Sequence, residues 1–165
     1  IANDERFEMH FHGRSQGESL KIQEYCKRHL IKNVYFHGEY LPEDRYRFAA
    51  ETDIIQNAQD FDNVTQFAVS NKFYDSAIFY IPQICTKGSF MGTNVVKYGL
   101  GLAIDLKKDN IPQLLIDYMQ QISWEDFYKR CDFFVEKISN EYNAGVEIIH
   151  SIIEKSEEEK CEKTS

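Results

Sequence analysis

Ser70, Asn71, Lys72 and Asp75 stand at the head of an otherwise apolar run, "SNKFYDSAIFYIPQICT", over residues 70–86. A helix starting near Ser70 would turn its unpaired backbone N–H groups and the positive end of its dipole outward. That arrangement holds phosphate, and Lys72 would add a mobile cation beside it. Asp75, one turn further in, lies too deep to cap the helix and is placed to accept hydrogen bonds from a diol such as a ribose. The same residues have a plainer explanation, in which Ser70 caps the helix and Lys72 lays its stem over apolar surface. An acid within a run apolar enough to be buried needs partners, and that favours the ligand reading.

The other residues able to do chemistry are dispersed. His10 and His12 share one face of a strand, but no third ligand shows in the sequence, so they read as polar tips on apolar bodies and no metal is expected. His12, next to Gly13, is placed to contact a ligand at the strand end. Cys26, Cys85, Cys131 and Cys161 form no C-x-x-C pair and no zinc-like set with histidine. Absence of G-x-x-x-x-G-K and G-x-G-x-x-G removes the P-loop and the dinucleotide fingerprint, and neither Ser nor Cys is paired in sequence with a His and an orienting acid. Two weaker features are the "KGSFMGTN" loop over 87–94, with backbone N–H groups to offer a phosphate, and Phe61 and Phe90, loop aromatics able to stack on a base.

A chain of 165 residues, 42% hydrophobic and 14% aromatic, suits one compact domain with a real core. Its net charge of −8 excludes a broad electrostatic footprint for nucleic acid. Scattered cysteines fit a reducing, cytoplasmic setting, and no apolar run approaches the ~18 residues of a membrane span.

Positioning these residues requires alternating elements. "FEMHFHG" (7–13), "NVYFHG" (33–38), "TDIIQN" (52–57), "YIPQICT" (80–86) and the end of "VVKYGLGLAIDL" (95–106) read as five strands. Between the first two, Ser15 and Glu18 have capping-box spacing, and Ile22, Tyr25, Cys26, His29 and Leu30 make an apolar helical face. Pro42 followed by Glu43 and Asp44 opens a short helix. After the fifth strand, Ile111 to Ile122 and a Ser123-capped run through Ile138 keep helical period, and Tyr142 to Ile153 mark a last helix. Residues 154–165 form a charged tail. This pattern predicts an α/β, Rossmann-like three-layer sandwich with a mostly parallel sheet and extra C-terminal helices over 1–153, with ligand at the carboxyl ends of the strands.

The series "FEMHFHGRS", "NVYFHGEY", "TDIIQN", "SNKFYDSAIFYIPQI" and "VVKYGLGLAIDL" resembles the C-terminal, donor-binding half of GT-B-fold glycosyltransferases that build bacterial capsular and other surface polysaccharides. The resemblance covers nearly the whole chain and includes an acid, Asp75, seven residues before Pro82 at the head of a strand. It implies binding of a nucleotide diphosphate sugar, UDP- or GDP-linked, with Ser70, Asn71 and Lys72 beside the diphosphate, Asp75 on the ribose, and Gly13 and Arg14 facing the nucleotide. No cofactor and no metal are implied. Phe67 stands where many retaining members carry a second acid, eight residues before Asp75, so no catalytic residue is assigned.

The resemblance also implies that an acceptor-binding N-terminal domain is missing from this chain, so that it is not catalytic alone. Implied partners are a sugar or lipid-linked acceptor and, through that other domain, the inner face of the cell membrane. A sugar-nucleotide epimerase of the same fold would bind the same donor type. A non-catalytic interaction module, using the C-terminal helices, would bind no nucleotide.

Overall fold

The computed structural model describes residues 1–60 and 65–164, with side chains as far as residue 155; Phe61 and the side chain of Cys161 lie outside the described residues. The fold is α/β and Rossmann-like, with parallel strands joined by helices. In chain order it runs β1 (Met9–His12), α1 (Glu18–Arg28), β2 (Val34–Gly38), a 3-10 turn (Pro42–Asp44), α2 (Arg45–Ala50), β3 (Ile55–Asn57), α3 (Asn71–Ile78), β4 (Gln83–Thr86), α4 (Phe90–Lys97), β5 (Gly101–Ile104), α5 (Ile111–Gln121) and α6 (Trp124–Thr164). Among the described residues every strand pair is parallel, in two sheets, β1-β2 and β3-β4-β5, where the sequence pattern predicts one. The chain forms two compact units, Ile1–Thr52 with Asn110–Gln120, and Asp53–Asp109 with Gln121–Ser165.

In the first unit β1 and β2 pair in register from Met9↔Val34 to Phe11↔Phe36 and then slip, so that His12 faces Gly38. Phe11 and Phe36 stack on one face at 5.1 Å between centroids, and strand alternation sends His10, His12, Tyr35 and His37 to the other. The predicted Ser15/Glu18 capping box does not form. Gly17, with φ 53, is the N-cap and sets the start of α1, and Ser15 Oγ instead accepts from Gln23 Nε2. Of the predicted apolar face only Cys26 is buried, and Leu30 lies beyond the helix with φ 52. The Pro42 start holds: Leu41 N donates to Asp44 Oδ2 at 2.9 Å, closing the first turn.

In the second unit β4 is the central strand and is buried at all four positions. Phe73 and Ala77 of α3, Cys85 of β4, Met91 and Val95 of α4, Leu100, and Phe127, Cys131 and Phe134 of α6 make the core. Two glycines permit the close approaches. A Cβ at Gly101 would lie 1.9 Å from Gln83 O, and one at Gly92 would lie 2.1 Å from Thr86 O. Of the "KGSFMGTN" segment only Lys87–Ser89 is a turn: Ser89 caps α4 by accepting from Gly92 N at 2.9 Å, and Phe90 onward is helical.

Two predicted helices and the tail form one helix, α6, because no proline interrupts 124–164 and Gly145 is tolerated within it. Its first half buries Phe127, Cys131 and Phe134 at the predicted spacing, whereas Tyr142, Ile149 and Ile153 are exposed. Among the described residues, no helix is long and apolar enough to cross a membrane.

Candidate functional site

The carboxyl end of the three-stranded sheet is organised by buried polar side chains. Asn57 at the end of β3 is 5% exposed and Gln83 on β4 is 1% exposed. Gln83 Nε2 donates to Phe73 O at 3.1 Å, Asn57 Nδ2 donates to Gln83 Oε1 at 2.7 Å, and Ser70 Oγ donates to Asn57 Oδ1 at 2.7 Å. Thr86 at the end of β4 clasps the chain after β3, accepting from Gln59 N and donating to Gln59 O at 2.9 and 2.7 Å. Each of these groups would be costly to bury alone, and among the described residues no buried side-chain polar atom lacks a partner.

Ser70 stands at the N-cap of α3 with extended backbone, as predicted, yet it makes no side-chain cap; its hydroxyl donates to Asn57 Oδ1 instead. Asn71 and Lys72 form the first turn and Asp75 lies one turn on, half-buried. Lys72 is exposed along its stem, but its ammonium reaches back and donates to Gln56 O at 2.7 Å. Desolvation of that head group lowers its pKa, with the nearby Cys85 acting in the opposite sense. Burial pushes the Cys85 thiol itself up to about 12, Lys72 working against it.

Gly13 and Arg14, the other predicted donor-binding residues, belong to the first unit, whereas Ser70, Asn71, Lys72 and Asp75 belong to the second. Gly13 has φ 144 and donates its N–H to Gly38 O at 2.7 Å. Arg14 Nε donates to Glu39 Oε1 at 2.8 Å, both side chains being exposed. With His12 and Phe36 they border a small cavity of about 80 Å³.

A second, larger cavity of about 390 Å³ in the first unit is lined by His10, His12 and His37 together with residues of α2. The expectation of no metal rested on the lack of a third ligand in the sequence, and β2 brings a third histidine, His37, beside the two on β1. His10 Nδ1 and His37 Nε2 lie 2.9 Å apart, and the His12 ring stacks between His37, at 4.4 Å, and Phe48, at 3.6 Å. Burial first, then the charges of His37, His10 and Arg47, hold His12 below the ordinary imidazole range, against a smaller pull from Glu51.

Sequence reasoning missed Asn57, Gln83, Thr86 and His37. The first three carried a signal, since polar residues in short buried strands must find partners. His37 carried another: both strands end in Phe-His-Gly, and parallel pairing of like endings sets like side chains side by side. No family model matches the chain, and no curated protein and no solved structure matches it.

Proposed function

We propose that this chain is the nucleotide-sugar-binding part of a GT-B-type glycosyltransferase, taking a UDP- or GDP-linked donor for transfer to a surface-polysaccharide or lipid-linked acceptor at the cytoplasmic face of the membrane. The observation that carries this reading is the side-chain-free N-terminus of α3 at the carboxyl end of parallel strands. No side chain of the described residues caps it, and since Phe73 N already bonds to Ser70 O, the first two N–H groups are the ones an outside acceptor would take. The α4 N-terminus follows β4 at the same end of the sheet, and with Gly92 N on Ser89 Oγ and Phe90 N on Gln66 O it adds its dipole to that edge rather than free N–H groups.

In this reading the α3 N–H groups and Lys72 offset the charge that builds on the departing diphosphate as the glycosidic bond breaks, and Asp75 accepts from the ribose. No resident cofactor takes part. Catalysis requires an acceptor-binding domain across the cleft, and no side chain here is assigned to the bond-breaking step.

Calorimetric titration with UDP, GDP and ADP tests the reading. One nucleotide should bind to the chain, and Asp75→Ala should weaken it about tenfold, the loss of one good hydrogen-bonding partner. No binding by any of the three sinks the proposal. The second reading, a non-catalytic interaction module, is favoured by one observation: Ser70 and Lys72 use their polar atoms inside the fold, on Asn57 and Gln56 O. It predicts the blank titration.

A further inference from the structure

We infer that His10, His12 and His37 bind one divalent transition-metal ion of the zinc type, with the adjoining cavity leaving a coordination position open to water or an anion. Each ring offers a nitrogen such that the three lie within 4.8 Å of one another. Three ligands at the Zn–N length of ~2.0–2.1 Å in a tetrahedral set stand about 3.4 Å apart, so the rings must turn and draw their nitrogens together for the site to close. The rings are nearly parallel, at 4°, 10° and 14° to one another. Lone pairs lie in the ring planes, so the rotation needed is about χ2, a broad and inexpensive torsion for histidine.

Support around the rings fits the same use. Glu8 Oε2 lies 3.3 Å from His10 Nε2, and Tyr35 Oη donates to Glu8 Oε1 at 3.4 Å. A carboxylate on Nε2 fixes the proton there and leaves Nδ1 as the basic nitrogen, and Nδ1 is the atom that faces His37.

The backbone supplies the convergence. Without the slip after Phe11, His37 would pair directly with His12; with it, His12 faces Gly38 and His37 falls between the two β1 histidines. His37 is thereby close to both, stacked at 5.1 Å from His10 and 4.4 Å from His12. On the cavity wall Glu39 is paired with Arg14 and Asp44 with Arg47, which leaves Glu51 as the acid in excess there and a balance that leans toward a cation. Imidazole donors select zinc, nickel or copper over magnesium or calcium.

The test uses the whole chain, freed of metal by chelation, titrated with Zn²⁺ by calorimetry and with Co²⁺ by visible absorption. Expected are one ion per chain and the intense d–d bands of a tetrahedral cobalt site. His37→Gln, at an exposed position where folding is not at stake, should weaken Zn²⁺ binding at least tenfold, and Glu8→Gln by about tenfold, the lower end for an orienting partner. His29→Gln and His150→Gln should bind as the unaltered chain does. Failure of the unaltered chain to bind Zn²⁺, or equal affinity in His37→Gln with circular dichroism unchanged, overturns the proposal. Unchanged affinity in Glu8→Gln overturns the role given to that carboxylate.

Discussion

Asn57 donates from Nδ2 to Oε1 of Gln83 at 2.7 Å, and that bond has only one allowed direction. Gln83 must present its NH₂ to Phe73 O, a backbone carbonyl that can only accept. Its oxygen therefore faces Asn57, whose own oxygen is left to face Ser70, and Ser70 has to donate. One carbonyl thus sets the polarity of three side chains joining α3, β3 and β4.

Replacement of Ser70 by Asp exposes that polarity. At an ordinary helix N-cap Asp serves as well as Ser. Here a carboxylate would meet Asn57 Oδ1 with no proton to give, and the chain should lose about 1–3 kcal/mol of stability, read as a lower urea midpoint with an unchanged slope. Equal stability would show that the amides turn over freely.

Two glycine replacements should move stability in opposite directions. Gly145→Ala, within α6 and with nothing within 4 Å of the new methyl, should gain about 1 kcal/mol from helix propensity. Gly92→Ala has the same propensity gain, but its Cβ would stand 2.1 Å from Thr86 O. Moving a helix start away from a strand end should cost about 1–3 kcal/mol net, as other overpacked sites do. Thermal melting of the two variants side by side checks the contrast.

Leu30 ends α1 in left-handed backbone, φ 52, with Ile31 N bonded to Cys26 O at 2.9 Å and Leu30 N to Lys27 O at 3.3 Å. That is the helix-ending motif in which glycine is usual. The leucine side chain is 75% exposed, so little packing is lost on removing it. Leu30→Gly should therefore stabilise by about 1 kcal/mol, and chemical denaturation would reveal a loss if the side chain matters more than the backbone.

Burial raises the Cys131 thiol from an ordinary value of 9.0 to about 12, with the Asp132 charge adding to it, and Cys85 is raised to about 12 as well. In the unfolded chain these thiols ionise near 9 while the folded chain keeps them protonated. Stability is therefore intact below pH 9 and falls as pH rises toward 12, by about 1.4 kcal/mol per pH unit for each thiol. Lys72, whose pKa is lowered, opposes part of this loss. Cys131→Ala should flatten the alkaline fall, and native alkylation mapped by mass spectrometry should find Cys85 and Cys131 unreacted.

Local chemistry carried much of the architecture. Alternation of apolar residues located β1 and β2, the Pro-Glu-Asp run located the turn before α2, and the polar head of "SNKFYD" located the start of α3 at Ser70. Misreadings fall where backbone conformation or packing, rather than residue spacing, decides. Ser15 has the right spacing for a cap, but the backbone of Gly17 starts the helix after it. "KGSFMG" looks like a loop by its glycines, yet Gly92 is small because Thr86 O lies against it, a reason invisible without the end of β4.

The candidate site divides the same way. Periodicity and residue type by themselves determined that α3 opens with polar residues and that His10 and His12 share a face, because both are properties of neighbours along one chain. Tertiary structure decided what those residues touch: that Ser70 serves Asn57 rather than its own helix, that Lys72 reaches Gln56 O, and that His37 joins His10 and His12. Each is a contact between segments some 13 to 27 residues apart, set by strand register and helix docking, and no local pattern encodes a register until the partner strand is in place.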